Sequence, residues 1–198
     1  MKDFKPKYQH KNMKLRWLGN SCIEIFGDLH IVIDPNFVIE PEPNIDYVLI
    51  THEHDDHIDV KKLKILNYKK LIAPEYTLKL YKLEGMRAEV GKEFEGIKIL
   101  PSWCWKSEES VSYLYNGILH TGDSSKFPDA DAKVVFTACF PDFYDEYVSE
   151  MKRLNPDLVI PIHYDPERKI KNAEGLKERL DKEGINCKIV KIGEVIEV

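Results

Sequence analysis

The stretch Thr51-His52-Glu53-His54-Asp55-Asp56-His57 gathers three imidazoles among carboxylates within seven residues. Such a charge cluster is costly unless something binds it, and neutral imidazoles with carboxylates suit Zn²⁺, Fe or Mn²⁺. A solvated acidic loop with chance histidines would spell the same letters. The flanks favour ligands. Residues 47–50 form an apolar, β-branched run that reads as a buried strand. Residues 58–70 carry apolar side chains at 60, 63, 65, 66 and 68 among lysines, which predicts a partly buried helix over about 59–70. The cluster therefore stands where a core strand ends, with rigid elements to hold its donors.

One loop makes an incomplete metal centre, so later strands should add donors. His120-Thr121-Gly122-Asp123 follows a strand of a hairpin, and Gly122 lets the backbone approach closely there. Pro161-Ile162-His163-Tyr164 again places a polar residue just past a buried strand. By itself Asp123 reads equally as a turn residue and His163 as a surface histidine. A sheet edge common to all three places would bring them together.

The elements that must do this positioning can be taken in order. Residues 14–17, 21–26 and 29–33 predict a meander that stops at Asp34-Pro35, because proline cannot continue the ladder. A loop rich in proline and acidic residues (40–44) leads to the strand before the cluster. Beyond the first helix come a short strand at 71–73, a helix opened by Pro74 and running to about Leu83, and strands at 88–90 and 96–100. Asn116-Gly117 between residues 110–115 and 118–121 is the strongest hairpin signal in the chain. A strand at 133–137 precedes a helix over 141–154, whose Phe143, Tyr147, Met151 and Leu154 make one apolar stripe. A strand at 158–162, a helix capped by Asn172 and ended by Gly184, and strands at 187–192 and 195–198 close the chain. This order suggests two mixed sheets packed together with helices outside.

At 198 residues the chain has room for one substantial domain spanning 1–198, and no internal repeat is evident. The net charge is −5 with Lys and Arg spread throughout, so the electrostatic footprint of a nucleic-acid binder is missing. No run approaches the roughly 18 apolar residues of a membrane span. Residues 1–14 are basic and polar, which suits a short arm or edge strand rather than a secretory signal. The four cysteines, Cys22, Cys104, Cys139 and Cys187, are widely spaced. Reduced thiols in a cytoplasmic protein are the expectation.

His52-x-His54-x-Asp56-His57 after an apolar strand resembles the signature of the metallo-β-lactamase superfamily. There the first two histidines bind one metal, and the aspartate and last histidine bind a second. Gly122-Asp123 is similar to the superfamily's Gly-Asp motif, whose aspartate bridges the metals, and His163 to its last histidine, a ligand of the second metal. Trp17-Leu18-Gly19-Asn20-Ser21, Ile33-Asp34-Pro35, Thr51-His52-Glu53-His54 and His120-Thr121-Gly122-Asp123 resemble the small single-domain metal-dependent hydrolases, the group containing the ascorbate-6-phosphate lactonase. The similarity covers roughly residues 13–164.

The resemblance implies an α/β fold of the α+β kind, a four-layer αβ/βα sandwich with the metals at one edge between the sheets. It implies one or two zinc ions, with Mn or Fe possible, and a small-molecule substrate. Hydrolysis of an ester, lactone or phosphoester by metal-bound hydroxide follows, with Asp56 and Asp123 orienting the nucleophile. The rivals are a phosphodiesterase or nuclease of the same superfamily and a non-catalytic metal-binding domain. The flavin-linked diiron branch fits less well, since it places a carboxylate where this chain has His54.

Two departures stand out. The group often has His where this chain has Asn20. More seriously, the third histidine of the first metal is missing from Leu100-Pro101-Ser102-Trp103-Cys104-Trp105, where alignment of the strand end puts Cys104 in its place. A thiolate is a good zinc ligand. Asp34 could accept a hydrogen bond from a metal-bound histidine, or simply be a turn aspartate. Trp103 and Trp105 read as pocket walls or as core, and His120 as a proton shuttle or a structural histidine. Cys22, Cys139 and Cys187 read as small core residues.

Overall fold

The computed structural model describes residues 13–198, so the arm or edge strand expected at the amino terminus falls, up to residue 12, outside the described residues. The meander forms as expected from β1 (Lys14–Gly19), β2 (Cys22–Phe26) and β3 (His30–Ile33), all antiparallel. Three strands then join it in parallel: β4 (Ile45–Leu49), β5 (Tyr68–Ala73) and the two-residue β6 (Met86–Arg87). Between them run α1 (Val60–Ile65) and α2 (Glu75–Tyr81).

Alternation within these strands explains the layering. Ile31, Ile33, Tyr47, Leu49 and Ile72 belong to one apolar cluster, while Val32, Val48, Leu71 and Ala73 belong to another. Successive strand residues face opposite sides, so this sheet is covered on both. The second cluster takes in Leu63 of α1 and Leu78 of α2; the first takes in Ile97, Ile99 and Tyr113 of the other sheet.

That other sheet holds, in chain order, β7 (Glu93–Phe94), β8 (Ile97–Pro101), β9 (Val111–Tyr115), β10 (Ile118–His120), β11 (Val134–Ala138) and β12 (Leu158–Ile162). The hairpin at Asn116-Gly117 is there, and both residues take the positive φ that a tight primed turn requires (47° and 80°). α3 (Tyr144–Leu154) and α4 (Ile170–Lys182) cover this sheet through Tyr147, Met151, Leu176 and Leu180. A last strand, β13 (Val195–Glu197), returns to pair with β1. The result is the expected four-layer sandwich of two mixed sheets. No helix among the described residues is long and apolar enough to cross a membrane.

Several boundaries differ from the expectations. The helix predicted over 59–70 ends at Ile65, because Tyr68 and Lys70 pair with Ile45 and Tyr47 and so start β5. Residues 88–90 are not a strand; the Ala88 N–H bonds to Ala73 O just past β6. Of 187–192 only a single bridge, Val159 to Cys187, has ladder geometry. Asn172 lies inside α4 rather than capping it, since the helix begins two residues earlier. Phe143 ends a short 3₁₀ turn and is exposed, so the buried stripe of α3 is Tyr144, Tyr147 and Met151.

Candidate metal centre

The loop after β4 folds back on itself through hydrogen bonds from the N–H groups of His57 and Ile58 to His54 O (3.0 and 3.1 Å). Asp59 then caps α1 by accepting from the N–H groups of Lys61 and Lys62. His52 and His57 are fully buried as a result. The second sheet supplies the rest from three strand ends: Cys104 after β8, Asp123 after β10 and His163 after β12. Gly122 takes φ +59°, and a side chain there would meet Thr51 at 3.3 Å, so glycine lets the Asp123 turn press against the histidine loop without strain. His163 sits at φ +63°, held by its N–H to Asn20 O (2.8 Å). A non-glycine residue in that region costs energy, and such residues concentrate at functional sites.

All seven residues singled out as candidate ligands converge here. They form two groups whose donor atoms lie within 4.8 Å of one another: His52, His54, Cys104 and Asp123, and Asp56, His57, Asp123 and His163. Asp123 is common to both. In the first group His52 Nε2 is 3.1 Å from His54 Nδ1, 3.4 Å from Cys104 Sγ and 3.6 Å from an Asp123 oxygen, and Cys104 Sγ is 3.8 Å from His54 Nδ1. Donors about 2.0–2.3 Å from one tetrahedral ion stand about 3.3–3.6 Å apart. The spacing therefore fits a single divalent cation. In the second group His57 Nε2 is 2.8 Å from Asp123, and His163 Nε2 is 3.0 Å from Asp56 and 3.3 Å from Asp123.

The far side of the histidines supports the same use. His57 Nδ1 meets Asp34 Oδ2 at 2.6 Å, and Thr51 Oγ donates to that same oxygen at 2.8 Å. With its proton committed to Asp34, the Thr51 hydroxyl accepts from His52 Nδ1 at 2.9 Å. His54 uses Nε2 toward Lys106 O at 3.3 Å. Three rings thus spend one nitrogen on an oxygen acceptor and turn the other into the centre. Asp34, left open by the sequence between orienting and turn roles, is fully buried and does orient a ring.

Electrostatics point the same way. Burial holds His52 below the ordinary histidine range and so favours its neutral, ligating form. Burial opposes charge on His57 too, yet the Asp123 and Asp34 carboxylates overcome it and hold His57 well above that range. Burial also works against the charge of Asp56, but the His163 hydrogen bond and nearby His57 outweigh it and hold its carboxyl at about 2. Asp123 is held well below the carboxylate range by the histidines around it, against the effect of burial. A pocket that retains a proton on a buried imidazole is one where a metal cation meets a favourable field. Cys104 differs: burial first, then the Asp123 and Glu53 charges, push its free thiol well up.

His120 is structural. It is fully buried, Nε2 meets Ser21 O at 2.8 Å and Nδ1 accepts from the Gly122 N–H, which fixes the turn before Asp123. Trp103 and Trp105 are not core; they are 48% and 78% exposed on either side of Cys104. Cys22, Cys139 and Cys187 are buried. Thr51 and Glu53 escaped the sequence reading. Glu53, between two candidate ligands, turns away from the centre and accepts from the Glu108 N–H (2.7 Å) and Ser107 Oγ (2.8 Å), clamping the loop that carries Cys104. Its only signal in the sequence was its place inside the histidine cluster.

The family model described as the beta-lactamase superfamily domain matches residues 14–163. A metal-dependent hydrolase of Methanoculleus marisnigri is 28% identical over 94% of this chain and 97% of its own length. One of Sulfurisphaera tokodaii is also 28% identical, over 93% of this chain and 99% of its own. Among solved structures, a Thermotoga maritima protein of the metallo-beta-lactamase superfamily superposes with a TM-score of 0.63 at 18% identity, covering 94% of this chain and 92% of that one. A second, a metal-dependent hydrolase of the beta-lactamase superfamily, gives 0.61 at 14% identity over 94% and 99%. At these identities the structural likeness is one of fold.

Proposed function

The chain belongs to the beta-lactamase superfamily, and from that premise we propose that it is a metal-dependent hydrolase acting on an ester, lactone or phosphoester of a small molecule. The observation that carries this reading is the pair of donor groups sharing Asp123, each with the chemistry and spacing of a divalent-cation site. His52, His54, Cys104 and Asp123 would hold one ion, and Asp56, His57, Asp123 and His163 a second. Zinc suits both sets, and Mn or Fe suits the second. A divalent cation held there acidifies water toward neutral pH and polarises a carbonyl or phosphoryl oxygen.

The remaining work falls to the chain's own residues. Asp34 and Thr51 lock the imidazole orientations, so the donors need little rearrangement on binding. Asp123, buried and tied to His57 and His163, fixes the distance between the two groups. Asp56 is the more open of the two carboxylates and hydrogen-bonds His163. In this reading its carboxylate would take a proton from the attacking water and return it to the leaving group.

Protein purified without chelators should carry metal by elemental analysis. It should also turn over at least one member of a panel of lactones, thioesters and phosphodiesters. Metal with no turnover across that panel would leave a metal-binding domain; no metal, and no uptake of Zn²⁺, Mn²⁺ or Fe²⁺, would remove the reading altogether.

A further inference from the structure

Cys104 is bracketed by two solvent-facing tryptophans, and each indole carries a lysine. Lys106 Nζ lies 4.1 Å from the Trp105 ring centroid and Lys126 Nζ 4.9 Å from that of Trp103. Both pairs adjoin the donor groups. The Lys106 carbonyl meets His54 Nε2, while the Trp103 N–H donates at 3.3 Å to Ser124 Oγ, next to Asp123. Among the described residues neither ammonium has a carboxylate within ion-pair distance.

Two indoles two residues apart offer a large rigid face at small entropic cost. An unpaired ammonium over that face adds a positive charge beside it. The centre itself presents the carboxylates of Asp56 and Asp123, which repel an approaching anion before any metal charge is counted. Two unpaired lysines at the rim offset that repulsion.

We propose that Trp103, Trp105, Lys106 and Lys126 form a substrate-binding rim that selects small molecules with a planar apolar body carrying an anionic group. The body would lie against the indoles and the anion between the ammonium groups, presenting the scissile bond beside Cys104. This rests on the hydrolytic reading for its purpose, but not for its test.

The test uses ligands that coordinate metals poorly and are not hydrolysed. Calorimetric titration of the metal-loaded protein compares 2-naphthalenesulfonate with its neutral counterpart 2-naphthalenemethanol and with methanesulfonate, which has charge but no ring. The naphthalenesulfonate should bind about tenfold tighter than the alcohol, the scale expected from two exposed charge contacts, and tighter than methanesulfonate, which lacks the ring that meets the indoles. Lys106→Ala with Lys126→Ala should remove the preference for the anion, and Lys106→Glu with Lys126→Glu should reverse it. Metal content should be unchanged in both, since neither lysine is a donor. Equal affinity for the sulfonate and the alcohol, or a preference surviving in the double alanine variant, overturns the rim. Sulfonate binding by a protein that hydrolyses nothing leaves the rim standing and removes the hydrolase. Equal kcat/KM for anionic and neutral aryl esters, unmoved by the lysine variants, does the reverse.

Discussion

Replacing Cys104 with serine tests the residue that departs from the superfamily pattern. Its Sγ lies 3.4 Å from His52 Nε2 and 3.8 Å from His54 Nδ1, close to the sulfur–nitrogen separation of about 3.6 Å expected around one tetrahedral ion. A four-donor zinc site is worth about 10–16 kcal/mol, so one donor in four accounts for about 2.5–4 kcal/mol. That corresponds to a loss on the order of 100- to 1,000-fold in affinity. Serine keeps the shape of the side chain but not the soft thiolate. The second group shares no sulfur and should keep its ion. Zinc competition against a chromogenic chelator should therefore show one tight site preserved and one greatly weakened. Cobalt-loaded wild type should show sulfur-to-cobalt charge-transfer absorption, absent from Cys104→Ser, and Cys104→His should restore affinity without restoring the band. Alkylation makes a poorer probe, because burial and the surrounding carboxylates keep the metal-free thiol protonated and slow to react. Unchanged zinc affinity in Cys104→Ser, with no charge-transfer band in wild type, would refute the assignment and leave Cys104 a packing residue.

Asp56→Ala should lower hydrolysis by at least about 100-fold while circular dichroism stays unchanged, since among the described residues only His163 hydrogen-bonds that carboxylate; wild-type activity in the metal-loaded variant would sink its role. Asp34→Asn puts an amide where Thr51 N, Thr51 Oγ and His57 Nδ1 all present protons. Metal affinity should fall about 10–100-fold and stability by about 1–3 kcal/mol, read by chelator competition and denaturant unfolding; no change in either would show that Asp34 is a turn residue only. Metal affinity should also rise with pH. The pKa of His57 is elevated in the metal-free protein, so a proton occupies it below that pKa and must leave before an ion binds; as pH climbs through it the competition ends. One displaced proton gives roughly tenfold per pH unit in that window, and calorimetry in buffers of stepped pH would expose a flat dependence.

Six of the seven candidate ligands were legible because metal chemistry admits few residue types, and because each stands in a loop or turn just past an apolar strand. Cys104 was visible only as the occupant of a gap in a known pattern; nothing in its own neighbours marks it. Glu53 was invisible for the opposite reason, since it sits among ligands and resembles one. Its outward turn follows from the fold of the loop around His54 O. The end of α1 was misjudged because apolar residues at 66 and 68 among lysines suit either a helix face or an edge of sheet, and only pairing with β4 decides. β6 and β7 are two residues each, too short for any period to register. In α3 the spacing of Phe143, Tyr147 and Met151 was correct for a helix, but the 3₁₀ turn before it moves the buried position to Tyr144.

The donors come from opposite ends of the chain's history as it folds. His57 and Asp123 are 66 residues apart in sequence, and Asp56 and His163 are 107 apart. Closing loops of that size costs entropy that no local contact repays, so the two sheets must dock before the donors meet. Metal binding by these donors would therefore depend on the docked sheets. An ion held by the candidate ligands would tie the carboxyl end of β4 to the ends of β8, β10 and β12, acting across the sheets as a cross-link does between distant chain segments. Demetallation should then loosen the seam between the sheets before it disturbs either sheet alone.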